Sequence, residues 1–584
     1  MWLLLCVSPS FAPPSPTTSV IVDIGGGIRV TAISPTLVRI EPKGPQGYED
    51  RTTFMVVARD MSLALHISQS TTAEGVLLTT SAYSVLLRHA PRGTATAPSF
   101  VLRDASGTAV HDSDQSDASR ANLLHWPSPL AAAAYALVDR PRFFAPSWGA
   151  APAPAGAAHA DTNGYDFTND VAGDTYVFLL GGSLASWQAA RRAFVALAGA
   201  TPLLPDWAYG TWFTWWHQYT QAEAKEDVAR WAAGQLPLDV WALDMNWRNT
   251  SAGQDRYYDH PATALFPDFD AWFAFLESHG LKTYFNDHPF PVASRDAGGL
   301  QTSKEEVAFR FAGLTKWLQA GLTFWWFDHN WAFSIPPPSV NTSHTSAVWE
   351  GLDNAAWGSH VYYSVVAAAD RARTNGTMNR TRFARPMTLT KFGLPDWRPG
   401  MAYEGAAESP AQHRYPVWWT GDGVDLQASI ETMVDAGVHG LKPFVHSDCG
   451  GDARGSAGAL LRWTAHCALG TILRFHGSDH RPWTYGAAVE ATVKRYLDMR
   501  YRLLPSLIAA GQQATADVTP LVARCDLLWP AHPEAASNLQ YLFLNETLVA
   551  PIYDSTHNLT SRAVWIPPGR WLDAWNGSLV TGPA

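Results

Sequence analysis

The chain has 584 residues, more than one hydrophobic core usually supports, so several domains are expected. Its 47% hydrophobic and 16% charged content excludes the disordered class. A net charge of −10 with a pI near 6.0 argues against nucleic acid or an anionic membrane surface as partner.

The chain opens Met1-Trp2-Leu3-Leu4-Leu5-Cys6-Val7, which reads, together with Ser8 to Ala12, as a short export signal lacking its basic flank. We take residues 1–18 as this segment. No run approaches the length of a membrane span. From 19 to 204 the pattern is short and alternating. Val20–Ile24, Ile28–Ile33, Leu37–Ile40, Tyr83–Arg88 and Tyr176–Leu180 read as strands between Gly, Pro and Ser turns, giving an N-terminal β-sandwich. The Ala- and Pro-rich stretch Gly149–Ala160 reads as a surface loop.

After Leu204-Pro205-Asp206-Trp207 the texture changes. Eight apolar strands are expected at Tyr209–Trp216, Leu238–Met245, Lys282–His288, Leu322–Asn330, Arg385–Phe392, Val417–Asp422, Gly440–Asp448 and Ile472–His476. Helix-length segments such as Thr220–Ala233, Asp268–His279, Lys304–Ala320 and Ser359–Arg373 fall between them. Over 205–505 this predicts a central (β/α)₈ barrel of the TIM type, whose site belongs at the C-terminal strand ends. Residues 506–584, with Gln540–Phe543 and Ala563–Ile566 as strands, read as a C-terminal β-sandwich that stops in mid-fold.

Two aspartates sit in unusual company, in Trp325-Trp326-Phe327-Asp328 and Trp418-Trp419-Thr420-Gly421-Asp422. Tryptophan faces stack on pyranose C–H surfaces, and a low local dielectric separates the pKa values of paired carboxyls. Two such strand-end acids suggest a nucleophile and a general acid/base for sugar cleavage. A separation of about 5–5.5 Å would mean retention of configuration, and about 6.5–9.5 Å inversion. The 27 tryptophans suit carbohydrate subsites, or the filling of a large barrel.

The segments Pro237 to Asn246, Phe327-Asp328-His329-Asn330, Trp419-Thr420-Gly421-Asp422, Ser447-Asp448-Cys449-Gly450-Gly451, Arg462-Trp463 and Arg474-Phe475-His476 together resemble glycoside hydrolase family 31. The resemblance implies a retaining, exo-acting α-glycosidase with no metal or cofactor, acting on an α-linked oligosaccharide or glycoside. It implies Asp328 as nucleophile and Asp422 as acid/base. It also implies Asp244, Trp326, Lys391, Trp419, Asp448 and His476 as sugar-binding residues. The chain departs from the family pattern at Trp331, where a glutamate is usual, at Lys391 in place of a forked arginine, and at Asp452 in place of an aromatic. The Trp-Pro-Gly and Phe-x-Asp-Phe segment before the nucleophile strand is absent. The sugar therefore stays open among α-glucosides, α-galactosides, α-xylosides and N-acetylated sugars.

Structural readings stand beside these. Asp244 could anchor hydrogen bonds, Asp448 and His446 could hold the strand-seven loop, and His476 could be a core histidine. Lys391 could balance carboxylates, and Trp215 and Trp216 could pack the barrel. Asp287 and His288 are candidates for supporting the site from behind. Two other functions compete with this one: a metal-dependent barrel hydrolase, whose usual early His-x-His this chain lacks, and a non-catalytic carbohydrate-binding relative.

Seven of the 15 asparagines (249, 341, 375, 379, 545, 558 and 576) lie in Asn-x-Ser/Thr, where about two would match by chance. This predicts passage through a secretory pathway, to a secreted or lysosome-like destination. The four cysteines fit no metal pattern and leave room for one disulfide among Cys449, Cys467 and Cys525.

Overall fold

A computed structural model describes residues 19–24, 27–44, 47–50, 52–53, 55–59, 65–89, 99–115, 126–127, 129, 132–139, 174–249, 258–288, 304–328, 354–374, 385–391, 411–451, 455–554 and 559–584. For 304–308, 354–357, 373–374 and 391 this is the backbone alone. The expected export segment and the Gly149–Ala160 loop lie outside the described residues. The chain divides into two compact units, one drawn from the N-terminal 199 residues and one dominated by residues 200–584.

The first unit is a two-sheet β-sandwich. One sheet orders strands Ser19–Val22, Ile28–Ser34, Leu37–Pro42, Asp174–Leu179 and Ala134–Asp139, all antiparallel. The other runs through Ser68–Thr71, Gly75–Thr79, Tyr83–Arg88, Phe100–Asp104 and Ala109–Asp112. Alternate residues of both sheets (Val30, Val38 and Val177 with Leu78, Val85 and Leu102) fuse into one core, as a period of two requires. The sandwich ends in a helix that the strand pattern does not announce, Leu184–Ala198. Its capping box pairs Ser183 with Ser186, and it buries Trp187 and Phe194. The local signal was the Ser-x-x-Ser cap ahead of an Ala-rich run.

The second unit holds the barrel. Strands one to eight are Thr211–Trp215, Val240–Leu243, Tyr284–Asp287, Phe324–Phe327, Leu389–Lys391, Trp418–Trp419, Val445–His446 and Leu473–Phe475. Each falls inside its predicted segment. They pair in parallel in chain order, and strand eight returns to strand one. A parallel bridge between Cys449 and Phe475, with Cys449 N–H donating to Arg474 O at 2.8 Å, links the strand-seven end to strand eight.

Strand parity sorts the aromatics. In strand four, Trp325 and Phe327 face the helices: Trp325 Nε1 bonds Leu314 O at 3.1 Å, and Phe327 stacks on Tyr362 at 4.4 Å. Phe324 and Trp326 belong to the opposite parity and meet Tyr284 of strand three. A helix over Asn354–Thr374 comes so close that a Cβ on Gly358 would stand 2.1 Å from Phe327 Cζ. The helices after strands one and six start at Thr220 and Asp425, whose side chains cap them.

Three expectations are corrected. Ala563–Ile566 is not a strand. Pro567 and Pro568 follow it with no N–H to give a ladder, and only Ile566 pairs, exchanging backbone bonds with Ala584. The C-terminal strands are a three-stranded sheet (Val522–Ala523, Tyr541–Phe543, Thr547–Val549) and a hairpin (Gly569–Leu572, Leu579–Gly582). A helix over Ala487–Asp517 runs unbroken through the expected boundary at 505/506. Cys449, Cys467 and Cys525 are free buried thiols. Among the described residues no helix is long and apolar enough to cross a membrane.

Candidate active site

Strands two, three and four bring their ends together first. Leu243 pairs with Phe285, and Asn286 with Trp326, so the next residues along, Asp244, Asn286, His288 and Asp328, meet above the barrel. Asn286 donates its amide hydrogens to Asp244 Oδ1 and Asp328 Oδ2, each at 2.7 Å. His288 Nε2 lies 2.9 Å from the same Asp328 oxygen. A carboxylate only accepts, so His288 carries its proton on Nε2. Asp244 also caps the short helical turn Met245–Trp247, accepting from Met245 N at 2.7 Å.

Strands six, seven and eight supply the opposite wall. Trp419 Nε1 donates to Asp448 Oδ1 at 2.7 Å, and Arg474 Nη1 reaches the same oxygen at 2.6 Å. Arg474 lies over the face of Trp326, 4.2 Å from its ring centre. Trp326 meets Trp419 and His476 edge to face, at 5.0 and 4.8 Å. Both tryptophans are buried among these partners. Asp422 follows strand six between Gly421 (φ 91°) and Gly423 (φ 71°), a left-handed backbone that glycine adopts without strain. It is exposed, whereas Asp328 is 2% exposed.

The electrostatics follow from this burial. Asp244 is pushed up to about 6 by burial and by Asp328. Asp448 is pushed up to about 7 by burial, with Arg474 opposing and Asp422 and Asp328 adding to the rise. Burial holds His476 well below the usual histidine range, so its 3.7 Å contact with Asp244 is a polar contact and no ion pair. His446, likewise buried, falls to about 3.

Asp422, Asp448 and His476 each bring one oxygen or nitrogen to within 4.8 Å of the others and could hold a metal ion, although the Arg474 guanidinium on Asp448 opposes a further cation there. Asn286 Oδ1, Trp326 Nε1, His446 Nε2 and Arg474 Nη2 are buried and have no hydrogen-bond partner among the described residues. Buried polar atoms are ordinarily paired, so such a group around the strand ends suits a hydroxyl-rich ligand or ordered water.

Of the predicted site residues, the structure gathers Asp244, Asp328, Trp326, Trp419, Asp422, Asp448 and His476. Lys391 ends strand five in register with Trp419, and its side chain lies outside the described residues, as do His329 to Trp331 and Asp452. Trp216 is 68% exposed and does not pack the barrel. Asp287 faces outward, held by Arg248 at 2.7 Å and by the hydroxyls of Tyr258 and Tyr362. Asn286 was missed. Its signal was the alternation Tyr284-x-Asn286-x-His288, which puts all three on one side of strand three.

A family model for the glycosyl hydrolases family 31 TIM-barrel domain matches residues 201–303 and 301–510, more than half of the chain. The chain belongs to glycoside hydrolase family 31. It is 24% identical over 446 residues to α-glucosidase 2 of Bacillus thermoamyloliquefaciens, covering 67% of this chain and 52% of that one. It is 22% identical over 435 residues to an α-xylosidase of Saccharolobus solfataricus, covering 67% and 54%. The chain thus spans about half the length of these curated relatives. The fold is shared with a family 31 dextranase of Flavobacterium johnsoniae complexed with glucose. That match has a TM-score of 0.68 at 17% identity, over 97% of this chain and 77% of the other. It is shared equally with a soil-metagenome α-xylosidase complexed with xylose, at TM-score 0.66 and 17% identity over 97% and 95%.

Proposed function

We propose that the chain is a retaining, exo-acting α-glycosidase that hydrolyses an α-linked oligosaccharide or glycoside by double displacement. The observation that carries this reading is the fixed Asp328 carboxylate at the end of strand four, facing a ring that also holds the exposed Asp422. The curated α-glucosidase and α-xylosidase relatives support the same class of bond.

In the first step an Asp328 oxygen bonds to the anomeric carbon while the bond to the leaving oxygen breaks, and Asp422 gives that oxygen its proton. In the second, Asp422 takes a proton from water, the water oxygen attacks the same carbon, and the bond to Asp328 breaks. Asp244 accepts from a sugar hydroxyl, and the buried unpaired atoms around it supply further polar contacts. Retention of configuration and a sugar-binding role for Trp326, Lys391, Trp419, Asp448 and His476 belong to this proposal. So does passage through a secretory pathway, which the exposure of Asn249, Asn545 and Asn576 suits.

The test is hydrolysis of aryl α-glucoside, α-galactoside, α-xyloside and α-N-acetylgalactosaminide, with Asp328→Ala beside wild type. Turnover of one substrate that the variant loses, giving the α-anomer first by NMR, supports the reading. A folded wild type inert to all four, or first product in the β form, overturns it.

A further inference from the structure

Strand three and the residue that follows it grip one oxygen of the strand-four acid. Asn286 and His288, two positions apart, both bind Asp328 Oδ2, at 2.7 and 2.9 Å. The Asn286 amide has two hydrogens and spends one on each carboxylate. Its orientation is fixed by this: turned over, its oxygen would face two acceptors. Its own Oδ1 is buried with no partner among the described residues, so no competing bond sets the rotamer. His288 is held in turn through its backbone, whose carbonyl accepts from Arg248 Nη2 at 3.3 Å, while Arg248 pairs with Asp287.

Resting on the α-glycosidase reading, we propose that Asn286 and His288 are positioning residues that clamp Oδ2 of Asp328, so that Oδ1 is the oxygen that attacks. Both bonds are charge-assisted, and attack through Oδ2 would break the two together. Asn286 also makes the nucleophile and the sugar-binding Asp244 one rigid unit across three adjacent strands, fixing where the sugar lies relative to the attacking atom. Among the described residues, Asp244, His288, Asp422, Asp448, Arg474 and His476 are ionisable groups around that carboxylate. His288 touches it directly.

The experiment compares Asn286→Ala, His288→Ala and His288→Gln with wild type on the aryl glycoside that wild type cleaves, recording kcat, KM and the pH profile of kcat/KM. Removing donors to the charged carboxylate favours its protonated form, so the acid limb moves to higher pH. We expect kcat to fall about 10–100-fold with KM within about threefold, and His288→Gln to recover part of the loss. Folded alanine variants with unchanged kcat and an unmoved acid limb overturn the clamp. If Asn286→Ala does not fold, Asn286→Asp carries the same test, since it replaces the donor with a third carboxylate. A wild type silent on every glycoside sinks the functional reading instead. The clamp is then tested by the carbon-13 titration of the Asp328 carboxyl, assigned with Asp328→Asn, whose midpoint must rise in His288→Ala.

Discussion

Asp244 and Asn286 are joined by a 2.7 Å hydrogen bond across the ends of strands two and three, and the same amide nitrogen serves Asp328. Two buried acids therefore share one donor, and burial together with the Asp328 charge pushes Asp244 up to about 6.

This has a consequence for stability. A carboxyl that binds its proton more tightly folded than unfolded stabilises most below its unfolded pKa of about 3.9, and that contribution is lost as pH rises through about 6. Asp244→Asn removes the penalty and keeps an acceptor for Met245 and Asn286. Its melting temperature relative to wild type should be higher at pH 8 than at pH 4.5, by the equivalent of about 1–3 kcal/mol. Melts at the two pH values check this; an equal offset at both would refute it.

Asp422→Ala should lower kcat/KM about 10²–10⁴-fold for poor leaving groups and far less for an α-glycosyl fluoride, because only the former need a proton. Azide should restore turnover and yield an α-configured glycosyl azide, identified by NMR. An azide product of β configuration would exclude Asp422 as acid/base of a retaining reaction.

Gly358→Ala places a methyl 2.1 Å from Phe327 Cζ, next in sequence to Asp328. Helix and strand must part, at a cost of about 1–3 kcal/mol. Chemical denaturation should show that loss, and kcat should fall because Asp328 moves with Phe327.

Arg500 is buried and spreads its guanidinium over the carbonyls of Tyr209, Cys467, Ala468, Gly470 and Thr471, at 2.8 to 3.3 Å. Arg500→Met leaves those oxygens without their charged donor. A destabilisation of at least about 3 kcal/mol is expected by chemical denaturation, with the variant recovered mainly in inclusion bodies.

Asn249, Asn545 and Asn576 should carry glycans when the chain is made in a eukaryotic secretory host. Peptide mapping after enzymatic deglycosylation, which converts each modified asparagine to aspartate, reads them individually. Unmodified asparagine at all three would remove this support for a secretory route.

Much of this fold is written locally. The eight barrel strands lie inside their predicted segments because each is a short apolar run between turn signals, and such runs keep their meaning whatever they pack against. Capped helix starts at Thr220 and Asp425 are equally local. Local signals also misled. Ala563–Ile566 has strand composition, but two prolines deny it a ladder. The 505/506 boundary fell within one helix because composition shifts before the hydrogen-bonded helix ends.

The sequence by itself determined the parallel barrel, the family, and the two aspartates as strand-end acids, since these depend on periodicity and on motifs within a few residues. Only the tertiary structure decided that Asn286, 42 positions from each of Asp244 and Asp328, stands between them, and that Arg474 meets Asp448. The reason is register. Which residue of one strand lies beside which of the next is set by pairing across the closed ring, and no period along a single strand encodes it.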